Sequence, residues 1–212
     1  GVIMTKKIYC FIGLPASAKG TQAMSFAESR GFTHISIGDL VREELKNEKG
    51  DSEFKKTIKT LYDDGKPVTD EIIFSLLENK LATIEGGVVF DNFPFNKSQS
   101  DFLLKYVASH ASEMPKIIYI KIDPQFAIKR ISSRRVCPNC KTVFTGGEIC
   151  EKCGEKLITR SDDNEETVRK RIQSYMPNIE EVVSIFQPKN LLFEVDGEPS
   201  IAEVKKQVDK IQ

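Results

Sequence analysis

An excess of charge of either sign is missing from this sequence: 31 lysines and arginines are matched by 31 aspartates and glutamates. A balanced chain has no general attraction for a polyanion, so neither nucleic acid nor an acidic membrane surface is expected as a partner. Apolar runs approaching the ~18 residues of a membrane span are also absent. The N-terminus has no charged stretch leading into an apolar one, so a cytoplasmic protein is expected. Met4 is taken as the natural start, and Gly1, Val2 and Ile3 are set aside. Neither internal repeats nor low-complexity tracts occur in the 212 residues, and that length suits one main core with a small insertion or two.

Cysteine is sparse, with five in all, and unevenly spread. Cys10 sits in an apolar segment and is assigned to the core. The other four form two close pairs, Cys137 with Cys140 and Cys150 with Cys153, in a C-x2-C, x9, C-x2-C arrangement. An odd total clustered in this way points to metal rather than to disulfides. Each pair can supply half of a tetrahedral site, and four thiolates leave no open position, so a structural zinc ion is expected. An iron–sulfur site or a redox dithiol is the alternative. Gly146, Gly147 and Gly154 supply turns, and a segment this short has no apolar core of its own.

Apolar, β-branched runs at 7–12, 87–91, 116–122 and 191–195 predict strands. Helices are expected over 20–30, 38–48, 51–64, 69–81, 98–108, 164–186 and 199–211, with another from Asp123-Pro124 through Arg135. Gly31 is placed to cap the first helix, while Gly50 and the Gly65-Lys66-Pro67 breaker separate the next three. Strands alternating with helices imply an α/β fold with a parallel sheet covered on both faces.

The segment GLPASAKGT, from Gly13 to Thr21, follows a strand and opens a helix, which is the context a phosphate-binding loop needs. Backbone N–H groups at a helix N-terminus would hold phosphate, with Lys19 adding a point charge. An ordinary strand-to-helix turn with a chance Lys-Gly-Thr is the competing account. Ala18 stands where the motif has glycine, and a positive φ there would cost an alanine ~1–2 kcal/mol.

Four separated segments, in order, resemble those of the adenylate kinases. GLPASAKGTQA resembles their phosphate loop, HISIGDLVREE (34–44) their monophosphate-side segment, and DNFPFNKSQ (91–99) their Asp-Gly-Phe-Pro-Arg segment. RISSRRV (130–136) and RSDDNEETVRKR (160–171) resemble the two borders of their lid. The resemblance implies a P-loop nucleoside monophosphate kinase fold and Mg²⁺-dependent transfer between ATP and a monophosphate, most naturally AMP. It divides the chain into a core of 1–35, 67–133 and 164–212, a helical monophosphate-binding insertion at 36–66, and a zinc lid at 134–163. It also implies a monomer.

Roles follow by the same resemblance. Lys19, Arg130, Arg134, Arg160 and Arg171 would surround the transferring phosphoryl group, and Asp91 would hold the hydration shell of Mg²⁺. Gly13, Ala18, Gly20 and Thr21 would line the phosphate loop. Arg42 and Gln99 would serve the monophosphate pocket, and Asp162 and Asp163 would contact lid arginines. Capping of the helix beginning at Asn164 is the structural alternative for the two aspartates.

Departures from the family pattern cluster in two places. Ala16 and Ala18 replace loop glycines. In the acceptor pocket a threonine has become Ile37, a glycine Asn92 and a phosphate-clamping arginine Phe95. A kinase with weakened or altered acceptor use and a non-catalytic homologue serving as a nucleotide sensor or scaffold are both compatible with that mixture. A zinc-ribbon nucleic-acid binder is disfavoured by the neutral charge.

Overall fold

The computed structural model describes residues 6–47, 53–110 and 112–212. Residues 1–3 and Met4, the Gly50 breaker, and the adjoining ends of two expected helices at Glu48 and Asp51 lie outside them.

Strand β1 (Ile8–Ile12) is buried along its whole length. Its residues alternate between two cores: Ile8, Cys10 and Ile12 enter the larger one, Tyr9 and Phe11 the smaller. That two-sided burial is why the strand reads as a continuous apolar run rather than an alternating one. Four further parallel strands complete the sheet in the order β2-β3-β1-β4-β7, where β2 is Thr33–Ser36, β3 Val88–Asp91, β4 Lys116–Lys121 and β7 Leu192–Asp196.

On the smaller core lie α1 (Lys19–Arg30) and α8 (Ile201–Val208), which bring Ala23, Phe26, Val204 and Val208. On the larger lie α4 (Asp70–Ala82), α5 (Lys97–Ser109), α6 (Pro124–Ser132) and α7 (Glu165–Phe186). Between β2 and α4 come α2 (Ile37–Lys46) and α3 (Glu53–Asp63), packed around Val41, Ile58, Ile72 and Leu76. The expected α/β architecture is therefore present.

Two elements differ from expectation. Strand β2 carried no usable signal, because it has four residues at the sheet edge and buries only Ile35. The helix expected through Arg135 ends at Ser132, and Arg134–Val136 forms β5, paired antiparallel with β6 (Val143–Thr145). Ser132 and Ser133 donate their hydroxyls to the carbonyls of Ile128 and Arg130. Such local side-chain bonds compete with continued helix, and the β5–β6 hairpin takes over from there.

Gly31 ends α1 in the left-handed region as expected (φ 66°), its N–H reaching the Ala27 and Glu28 carbonyls. At the other end of the same helix, Ala18 holds φ 59° and Ala16 φ 70°. Ala18→Gly is expected to stabilise the fold by roughly 0.5–1 kcal/mol, glycine's greater unfolded-state freedom offsetting part of the relief. A higher urea midpoint at unchanged slope would show it, and an unchanged or lower midpoint would contradict it.

Candidate active site and four-cysteine cluster

The loop from Gly13 to Ala18 joins the end of β1 to the start of α1, at the carboxyl edge of the parallel sheet where open α/β folds place ligands. A tight turn closes it, with the Ser17 N–H donating to the Leu14 carbonyl at 3.1 Å. Two glycines are needed here for space rather than for φ. A Cβ on Gly13 would stand 2.7 Å from the Ile120 carbonyl oxygen, and one on Gly20 would stand 2.9 Å from Asp91 Oδ2. Ser17 is buried, and its hydroxyl has no partner among the described residues.

Lys19 begins α1, and Asp91 ends β3 next to it, so helix and sheet bring a cation and an anion together in a half-buried position. Burial pushes the Lys19 ammonium below its ordinary value, Asp91 opposes that shift, and Arg171 adds to it. Burial likewise pushes the Asp91 carboxyl up, against the pull of Lys19 and His34, while Asp39 reinforces the rise. His34, which had no sequence signal, lies with Nε2 3.8 Å from Asp91 Oδ2. Desolvation thus dominates at both groups, and each is poised to gain from a charged ligand.

One of the expected arginines touches the loop. Arg130, at the end of α6, donates to the Ala16 carbonyl at 2.8 Å and lies over the Phe126 ring. Arg134 pairs with Asp163 at 2.7 Å, and Asp163 is only 2% exposed. Arg134 Nε and Asp163 Oδ2 remain buried without partners among the described residues. Arg160 and Arg171 are exposed and make no ion pair among them. Asp162 is exposed on the same 3-10 turn, Ser161–Asp163. Neither aspartate caps α7: Asn164 does, accepting from the Thr167 N–H at 2.9 Å.

Arg42 is paired with Asp39 on the exposed face of α2. Ile37 packs against the main core. Asn92 takes φ 58°, a conformation asparagine tolerates better than most residues. Phe95 meets the ring of Tyr175 edge-on, centroids 5.2 Å apart. Gln99 is buried and bonded at both ends of its side chain, to Phe95 N–H and to Asp70. Tyr175 and Asp70 are further residues that sequence patterning left unmarked.

The four paired cysteines converge. The Cys137 and Cys153 sulfurs are 3.3 Å apart, those of Cys140 and Cys150 3.6 Å, and all four lie within 4.8 Å of one another. These spacings are too long for disulfides. They fit the edges of a tetrahedron, which for thiolates 2.3 Å from a central ion measure about 3.8 Å. The Cys140 thiol is lowered to about 6, chiefly by the Thr142 hydroxyl, whereas burial pushes the Cys137 thiol up to about 11. Gly146 and Gly147, between the pairs, and Gly154, just after the second, all have positive φ, at 80°, 87° and 74°, as tight turns demand.

A model of the adenylate kinase family matches residues 11–191. The chain belongs to the adenylate kinase family. It is 38% identical over 210 residues to the adenylate kinase of Elusimicrobium minutum, covering 96% of this chain and 97% of that protein. The adenylate kinase of Petrotoga mobilis is 35% identical over 208 residues, with 95% of each chain covered. That of Thermotoga neapolitana is 32% identical over 210 residues, covering 95% and 94%. No described helix is long and apolar enough to cross a membrane.

Asp91 has a pH signature. Its folded pKa is raised above 3.8, so the folded state holds the proton more tightly than the unfolded chain. Stability contributed by this group is therefore lost as pH rises from 3.8 through the folded value. Asp91→Asn should remove that component, and urea midpoints measured across the acid range should fall less steeply with rising pH in the variant. Parallel profiles would contradict the assignment.

Proposed function

We propose that this protein is a nucleoside monophosphate kinase that moves the terminal phosphoryl group of ATP to AMP and back, with acceptor use weakened or altered. The observation that carries the reading is the desolvated pair of Lys19 and Asp91 at the mouth of a strand–loop–helix phosphate site. Membership of the adenylate kinase family supports it.

Phosphoryl transfer asks a protein for positioning and charge neutralisation rather than covalent chemistry. In this proposal the loop N–H groups from Gly13 through Thr21 cradle the donor phosphates, and the Lys19 ammonium meets the oxygens of the group in flight. Arg130, held against the loop by the Ala16 carbonyl, and Arg134, Arg160 and Arg171 supply further positive charge. Asp91 would hold the water shell of Mg²⁺, which when bound neutralises charge on the donor phosphates. Residues 134–163 act as the lid, Asp163 and Asp162 holding its arginines, and closure excludes water. Residues 36–66 form the monophosphate-binding insertion.

The acceptor side motivates the weakened turnover. Replacing a guanidinium clamp by Phe95 removes a charge-assisted interaction worth ~1.5–3 kcal/mol. Phe95 instead spends its ring on Tyr175. A coupled assay with ATP, Mg²⁺ and each common monophosphate tests the activity, and no turnover with any acceptor would leave the non-catalytic sensor or scaffold in its place. Phe95→Arg combined with Ala18→Gly is expected to raise kcat/KM for AMP by about tenfold or more, the rate equivalent of restoring that interaction. An unchanged rate would locate the defect elsewhere.

We also assign the four-cysteine cluster to one structural zinc ion, on the strength of its all-sulfur donor set and near-tetrahedral spacing. Elemental analysis should give one zinc per chain, and chelation should lower the melting temperature. A metal-free protein with four titratable thiols at Cys137, Cys140, Cys150 and Cys153 would refute this.

A further inference from the structure

Asp70, the first residue of α4, accepts two side-chain amide bonds from the segment that faces it. Gln99 Nε2 donates to Oδ1 at 3.1 Å, and Asn96 Nδ2 donates to Oδ2 at 3.3 Å. A carboxylate only accepts, so both amides must turn their NH₂ groups toward it. Their oxygens then face away, and each meets a backbone N–H: Phe95 N–H reaches Gln99 Oε1 at 2.7 Å, and Gln99 N–H reaches Asn96 Oδ1 at 2.8 Å. The Asp70 carboxylate and two backbone N–H groups thereby fix the orientation of two amides.

The orientation has a chemical consequence. A free carboxamide is ambidextrous, because a half-turn about its terminal bond exchanges donor and acceptor. Purine bases differ in that same order. A 6-aminopurine offers an acceptor nitrogen beside an exocyclic donor, whereas a 6-oxopurine offers a ring N–H beside an acceptor oxygen. An unlocked glutamine serves both, while a locked one serves a single order. After its two internal bonds, Gln99 keeps one N–H and one lone pair on Oε1 for a ligand.

We propose that Asp70 is a positioning residue that, together with the Phe95 N–H, sets the base preference of the acceptor by locking the carboxamide of Gln99 in one orientation. The proposal rests on the reading of Gln99 as part of the monophosphate pocket. With AMP as acceptor, the locked order favours the 6-aminopurine over the 6-oxopurine.

A purely structural role predicts something different. Asn96 and Gln99 stand at the N-cap and third position of α5, and the same bonds help to close that helix start. Loss of a cap lowers stability without changing base choice.

The test compares AMP with IMP. Asp70→Asn keeps the shape but can offer an NH₂ group to Gln99, so the reversed amide order no longer faces an acceptor-only partner and is opposed by the Phe95 N–H alone. The AMP-over-IMP ratio of kcat/KM is expected to fall by about tenfold or more, through acceptor KM and with KM for ATP unchanged. Calorimetric titration of each monophosphate without ATP reads the same preference independently of turnover. An unchanged ratio with a lowered melting temperature would reduce Asp70 to a cap and overturn the proposal. A wild-type protein that neither binds nor phosphorylates any monophosphate would overturn it too, but by removing the kinase reading beneath it. In the unmutated protein, the Gln99 side-chain NH₂ should exchange slowly with water by NMR; rapid exchange would sink the lock without recourse to the variant.

Discussion

The burial of β1 on both faces is the constraint from which the site follows. Five consecutive residues feed two cores on opposite sides of the sheet, and neighbours on both edges pair with the strand. Neither its register nor its direction can shift without exposing one core or the other. The chain must therefore leave the sheet at Gly13, between the ends of β3 and β4, and turn directly into α1. The loop backbone, Lys19 and Asp91 owe their positions to that single strand.

What the strand positions, it also desolvates. Lys19 and Asp91 are drawn toward neutrality by burial and held charged by one another, an arrangement that adds little to stability and much to readiness for a charged ligand. The same tension recurs where Arg134 and Asp163 are paired through one oxygen while the other carboxylate oxygen stays buried without a partner among the described residues. Both places hold polar capacity that the fold itself does not use. The loop adds a backbone cost: alanines at positions 16 and 18 adopt left-handed conformations that glycine would adopt freely.

The segment 134–163 has little core of its own. It contributes a small cluster of Cys137, Cys150 and Leu157 with Phe144 beside it, far too little apolar surface to fold a segment of that size. Four sulfurs converge there, whereas the rest of the molecule is built on the sheet. The start of α5 uses neither device and is tied to α4 by a hydrogen-bond network through Asp70, Asn96 and Gln99.

Local chemistry made much of this legible in the sequence. Continuous apolar runs marked the central strands because burial on two faces leaves no alternation to obscure. The Lys-Gly-Thr turn marked the loop, and the cysteine spacing marked the cluster, because both depend on residues close together in the chain. Strand β2 and the hairpin after Ser132 were hidden, since a four-residue edge strand and a three-residue ladder take their stability from partners far along the chain. Only the tertiary structure could join His34 to Asp91, Phe95 to Tyr175, and Asp70 to Gln99. The sequence by itself determined which groups can bind, charge or ligate. Their desolvation and orientation were decided by packing, because hydrogen-bond direction and dielectric environment belong to neighbours that only the folded chain brings together.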